Sequence, residues 1–176
     1  MVHQLRTGVL ILALCALGAV SAGPVRAETI DRVLAVVAGQ IITLSDVVAA
    51  RSLGLQTPAG DADPVRAVLS RLIDRELMLA EVERYGPPEP SADAVDRELA
   101  GIRTKFSTTE GFTAALTQAG IDERHVRETV RQDLRIRAYL DQRFSPSDPR
   151  RQSLIDEWVA GLRRRGDVVD LYLTGK

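Results

Sequence analysis

A run of β-branched residues, a two-residue turn and a helix cap follow one another within residues 29–48, and no other stretch restricts the fold as tightly. Ile30, Val33, Leu34, Ala35, Val36 and Val37 form an apolar strand, Ala38-Gly39 supplies the turn, and Gln40-Ile41-Ile42-Thr43 returns. Thr43 then ends the strand. Its hydroxyl can accept from a free backbone amide at a helix start, and Asp46 completes a T-x-x-D capping box ahead of Val47 and Val48.

The residues before this hairpin read as a secretory signal: His3 and Arg6, an apolar stretch from Val9 to Val20, then small residues, with no acid before Glu28. The apolar part is shorter than the roughly 20 residues that span a bilayer, so a retained membrane helix is the weaker reading. Val20-Ser21-Ala22 and Val25-Arg26-Ala27 both fit small-x-small cleavage, and the second is favoured because the hairpin starts just after it. Cys15 lies inside the signal and is preceded by Leu14, which argues against a lipoprotein. Cleavage after Ala27 leaves a chain without cysteine, hence without disulfide or thiolate ligand, in an oxidising compartment. It also removes Arg6 and Arg26 and no acid, leaving 149 residues with 21 basic and 24 acidic side chains, a net of −3. That balance gives nucleic acid no basic footprint.

Start and stop signals divide the remainder into helices. The first is expected over Leu44–Leu53, stopped by Gly54, with a polar loop from Gln56 to Ala62. Asp63-Pro64 starts a long second helix, since aspartate caps and proline occupies a first turn that needs no amide; Gly86 and Pro87-Pro88 end it. Ser91 caps a third helix with Val95, Leu99, Ile102 and Phe106 at helical spacing. Thr108 or Thr109 opens a fourth that ends at Gly120, and Asp122 caps a fifth reaching Arg143. The linker from Phe144 ends in a second Asp-Pro pair, Asp148-Pro149, before the stripe Leu154, Ile155, Trp158, Val159 and Leu162. Beyond Gly166 the alternation of Val169, Leu171 and Leu173 predicts a strand. Its available partner is the hairpin near the other end of the chain. The expected fold is mainly α, about six helices around one core, with a small β-sheet joining the hairpin to the C-terminal strand.

As spelled, ETIDRVLAVVAGQIITLSDV resembles the opening of the SurA-like periplasmic chaperones, a family that often carries parvulin prolyl isomerase domains. VLSRLIDRELMLAEVERYG is similar to the long helix after that hairpin, the 91–144 region to the helices that follow, and LIDEWVAGLRRRGDVVDLYL to the closing helix and strand. The resemblance covers nearly all of residues 28–176, with an N-terminal part over 28–144 and a closing part over 150–173. Isomerase-active relatives insert parvulin domains where this chain has a few residues between Phe144 and Arg150. The resemblance therefore implies the chaperone core alone: ATP-independent binding of unfolded exported polypeptides, outer-membrane protein precursors above all, in the periplasm, with no enzyme activity. The alternative from another class is a non-catalytic adaptor or structural subunit that binds one folded envelope partner.

The residues themselves offer little covalent chemistry. His125 is the only histidine after the signal and stands among Arg124 and Arg127, a solvated setting rather than a zinc site or a Ser-His-Asp triad. Neither a glycine-rich phosphate loop nor a G-x-S-x-G elbow occurs, so no cofactor is expected. Asp93 and Asp96, like Asp156 and Glu157, lie among arginines on helix faces, and Arg163-Arg164-Arg165 suits a helix C-terminus. Two charges are harder to place. Glu76 falls within the stripe of Val65, Leu69, Leu72 and Leu79, and Arg137 within that of Val126, Val130 and Phe144. Either they pair in the interior, with Asp133 competing for Arg137, or both reach the edge. Met78 and Tyr85 point to the opposite side of the long helix. Either the last helix covers them through Trp158, or with Trp158 they form a surface for client segments, where thioether and aromatic groups adapt to irregular partners.

Overall fold

The structure, a computed structural model, describes residues 31–56 and 63–172. The signal of residues 1–27 with both candidate cleavage points, Thr29 and Ile30, most of the loop after Gln56, and Leu173 lie outside the described residues. In chain order the elements are β1 (Val33–Val37), β2 (Gln40–Thr43), α1 (Leu44–Ser52), α2 (Pro64–Tyr85), α3 (Ala92–Arg103), α4 (Thr109–Ala119), α5 (Glu123–Arg143), α6 (Arg151–Arg165) and β3 (Val168–Asp170).

Local chemistry sets most of these boundaries. Ala38 and Gly39 both take positive φ, 49° and 83°, the combination that lets a two-residue turn follow the natural twist of a hairpin. At the start of α1, Asp46 accepts from the Thr43 amide at 2.8 Å while Thr43 Oγ1 accepts from the Asp46 amide at 3.3 Å, which closes the capping box. Asp63 accepts from the amides of Val65 and Arg66, and Gly86 ends α2 in the left-handed region at φ 57°. Ser91, Thr108 and Asp122 cap α3, α4 and α5 in the same way. The second Asp-Pro pair behaves differently. Asp148 Oδ1 accepts from the Arg150 amide within a turn, and α6 begins only at Arg151, without a side-chain cap.

The sheet order is β2-β1-β3, antiparallel throughout, so the two ends of the described chain meet through β1. A bulge between Val33 and Ala35 breaks the strand alternation and lets the adjacent side chains of Leu34 and Ala35 both enter the core. On β3 the alternation holds, and it is the face of Val169 and Leu171 that is turned outward. Val168 and Tyr172 pack inward, whereas Val169 and Leu171 are about half exposed.

The interior has two clusters. One gathers the sheet, α2, α6 and the second half of α5 around Leu34, Val68, Leu69, Leu77, Tyr139 and Trp158. The other joins Leu53 at the end of α1 to α3, α4 and the first half of α5, through Leu99, Phe112, Val126 and Val130. Helix α2 is buried on most sides, which explains why its core residues include Ile73, Leu77 and Val82 beside the stripe that periodicity picks out. Gly166 marks a close approach. A methyl group there would lie 2.5 Å from Leu77 Cδ2 and 2.8 Å from the Leu162 carbonyl, so only glycine lets the chain turn from α6 into β3 against α2.

Candidate functional site

The C-terminal ends of α2 and α5 meet α6 in a row of aromatic rings. Tyr85 lies 5.5 Å from Tyr139, Tyr139 5.8 Å from Trp158, and Trp158 5.8 Å from Phe144, all tilted contacts of the favourable kind. The Arg143 guanidinium covers the inner end, 5.6 Å from the Phe144 ring and 5.8 Å from the Trp158 ring, and donates to the Tyr139 hydroxyl at 3.3 Å. The outer end is open: Tyr85 is 60% exposed. With Pro87, Tyr139, Gln142 and Arg143 it borders a shallow depression of about 280 Å³.

The three residues singled out for client contact therefore occupy different depths. Tyr85 is on the surface, Met78 is half-buried against the first cluster, and Trp158 is buried within it. Trp158 Nε1 is enclosed and has no hydrogen-bond partner among the described residues. Of the three, Tyr85 is open to solvent, while Trp158 lies two rings inward in the same row.

Glu76 and Arg137 do not pair, which corrects the expectation drawn from the helical stripes. Glu76 Oε1 accepts from Arg75 Nη1 at 2.6 Å, and Arg137, with its side chain 59% exposed, donates to Glu98 at 2.7 Å. Asp133 also belongs to Arg75, at 2.7 Å from its Nε. The cause lies in α5. Its first half turns Val126 and Val130 to one cluster, but its second half turns Ile136 and Tyr139 to the other, roughly a third of a turn round the helix. Arg137 sits on the first stripe after that stripe has ceased to face the core.

Arg135 takes the interior position instead. Only 5% of it is exposed, and its guanidinium meets Glu83 of α2 and, at 3.3 Å, Glu89 of the Pro87–Pro90 linker. Glu89 also holds Arg131, so one carboxylate ties the linker to two turns of α5. Sequence periodicity missed this residue, although the switch of face between Val130 and Ile136 is the signal that identifies it.

A second concavity, of about 240 Å³, opens between β2, α1, α2 and the first half of α5. Its apolar part comes from Ala49, Ala50, Leu53, Leu72 and Val126, and its polar part is organised by Arg75. That guanidinium is satisfied from four directions, by Glu76, Asp133, the Thr129 carbonyl and Gln132. His125 is exposed at its margin, as its solvated setting implies.

Among the described residues, no group of three or more His, Cys, Asp or Glu is placed to hold a metal ion, and no helix is long and apolar enough to cross a membrane. The described chain is a mainly α module closed by a small three-stranded sheet, with aromatic and aliphatic side chains brought to its surface. It is 32% identical over 140 residues to the protein named Chaperone SurA from Alkalilimnicola ehrlichii. The match takes in 74% of this chain and 31% of that protein, so the chain spans about a third of the length of the relative it matches. This similarity supports a SurA-like relationship; no family model matches the chain.

Proposed function

We propose that this chain is a non-catalytic, ATP-independent periplasmic chaperone that holds unfolded exported polypeptides, outer-membrane protein precursors among them. The similarity to a protein named as a chaperone supports the class, and the signal-like residues 1–27 support the compartment. The observation that carries the reading is the open end of the aromatic row at Tyr85. A tyrosine 60% exposed, its ring set against a buried aromatic partner, offers an apolar contact that costs little side-chain entropy on binding. Client side chains would rest on Tyr85 and in the depression beside it, over the platform of Tyr139 and Trp158.

Suppression of aggregation of an unfolded β-barrel precursor, without ATP, tests this. The protein should delay aggregation, and Tyr85→Ser should weaken that protection while the melting temperature stays within about 2 °C of the parent, as for a surface change. Full protection by Tyr85→Ser would move client contact elsewhere. Absence of protection by the parent, together with tight binding of one folded envelope protein, would replace the chaperone reading with the adaptor.

A further inference from the structure

The 240 Å³ cleft beside β2 has a feature that the aromatic row lacks, a strand edge that no other strand among the described residues pairs with. In the hairpin, Val37 pairs with Gln40 and Ala35 with Ile42, while Val36 sends its backbone groups toward β3. The alternation of an antiparallel ladder then turns the N–H and C=O of Ile41 away from β1, and among the described residues no backbone group bonds to them. Gln40, Ile41 and Ile42 form one margin of the cleft. An extended segment laid along β2 would complete the Ile41 hydrogen bonds and place alternate side chains over the apolar floor.

Charge selects among such segments. Among the described residues the cleft is lined by the carboxylates of Asp46, Glu76, Glu128 and Asp133 against one guanidinium, Arg75, which already bonds Glu76 and Asp133. Asp46 is engaged by Thr43, and Glu128 by Arg131 and Gln132. Those bonds orient the carboxylates and leave acid in excess over base along the walls. A cleft of this volume is smaller than the roughly 300 Å³ at which small-molecule sites begin, and suits one or two side chains of a longer chain.

We infer that the β2 edge and its acidic cleft form a second polypeptide site, one that takes an extended stretch alternating apolar with lysine or arginine side chains. This rests on the chaperone reading and adds client chemistry to it: the aromatic row takes apolar groups, and the cleft takes basic ones. One pair of backbone bonds with one or two seated side chains makes a weak site, as transient holding of many chains requires.

Fluorescence anisotropy with short capped peptides, one alternating valine and lysine and the other valine and glutamate, tests it on the purified protein. The lysine peptide should bind at least about tenfold tighter, and the preference should shrink as salt rises to about 0.3 M and screens the carboxylates. Ile41→Pro removes the outward amide without breaking a ladder bond and should weaken the lysine peptide by about tenfold. Glu128→Gln with Asp133→Asn, both on partly exposed side chains, should cut the preference below about threefold at an unchanged melting temperature. Equal binding of the two peptides, or unaltered binding by both variants, overturns the cleft assignment. If precursor protection persists in that case, the chaperone reading stands without it. If the lysine peptide binds as described but the parent protects no precursor, the cleft stands and the chaperone reading falls.

Discussion

The network around Arg135 predicts an inversion of the usual link between burial and mutational cost. The guanidinium is enclosed, but its partners Glu83 and Glu89 have side chains 55% and 58% exposed. Arg135→Met removes the charge and keeps much of the stem's packing, and the two freed carboxylates can return to water. It should cost no more than about 1 kcal/mol. Glu83→Ala or Glu89→Ala leaves the cation one carboxylate and should cost about 1–1.5 kcal/mol each, at or below the low end for a charged hydrogen bond because solvent screens these half-exposed glutamates. The double change strands the cation in the interior without a bonded carboxylate, with only the more distant field of Glu128 to offset it. Breaking buried pairs in that manner costs about 3–5 kcal/mol, more than the two single losses together. For a domain of this size that is a fall of roughly 10 °C in melting temperature. Urea unfolding followed by the fluorescence of Trp158 would measure all four variants, with Arg137→Ala as the exposed control at under about 1 kcal/mol. A double variant within 1 kcal/mol of the parent, or an Arg135→Met loss above about 3 kcal/mol, would show that the glutamates do not hold the cation and that the site is sustained by packing.

Removing residues 167–176 withdraws β3 from β1, together with the Tyr172 hydroxyl that donates to Asp63 at 2.8 Å, and differential scanning calorimetry should show a markedly lower melting temperature. The carboxylates that accept backbone amides, two at helix caps and one in the turn before α6, make stability sensitive to acid. Asp63 is held below the usual carboxylate range by the Arg66 amide and the Tyr172 hydroxyl, Asp122 by the His125 amide, and Asp148 by the Arg150 amide. Depressed groups of this kind contribute fully above their unfolded value near 3.9, and the contribution is lost as pH falls through their lower folded values. Melting temperature should therefore be flat from about pH 7 to 5 and drop below about pH 4, with a shallower drop in Asp63→Asn. In a protease-coupled assay of prolyl cis/trans exchange, the protein should match a buffer control, because residues 145–149 leave no room for a parvulin insertion; acceleration by preparations free of host isomerases would contradict this.

The parts of this fold that could be read from the chain are those fixed within a few residues. Thr43 with Asp46, Asp63 with Pro64, Ser91 and Asp122 each announce a helix because the cap and the amides it serves are neighbours in sequence. Pairing of the C-terminal strand with the hairpin was also legible, since a lone strand needs a partner and one was available. What periodicity could not show was the face that a residue presents once a helix serves two clusters. Arg137 and Arg135 are two residues apart, and the change of partner along α5 puts the first outside and the second inside. The same limit applies to β3, where alternation marks two faces without saying which is wet. Tyr85 was legible as a residue off the stripe, but its exposure depends on how α6 approaches, a matter of tertiary packing.

The central strand of the sheet has consequences for the order of assembly. β1 takes one neighbour from residues 40–43 and the other from residues 168–170. A chain that emerges amino end first makes the hairpin at once, on the microsecond scale of a tight turn. The other edge of β1 then stays open while every helix appears, because its partner lies beyond α6. Closing so long a loop costs more chain entropy than any local contact here, and contacts of this separation slow folding. Until residues 168–170 arrive, Val36 offers an unsatisfied edge to any passing strand. The nascent module thus passes through a stage in which the β1 edge is open to the edge-to-edge association of unfinished sheets, and residues 168–170 act as the latch that closes that edge.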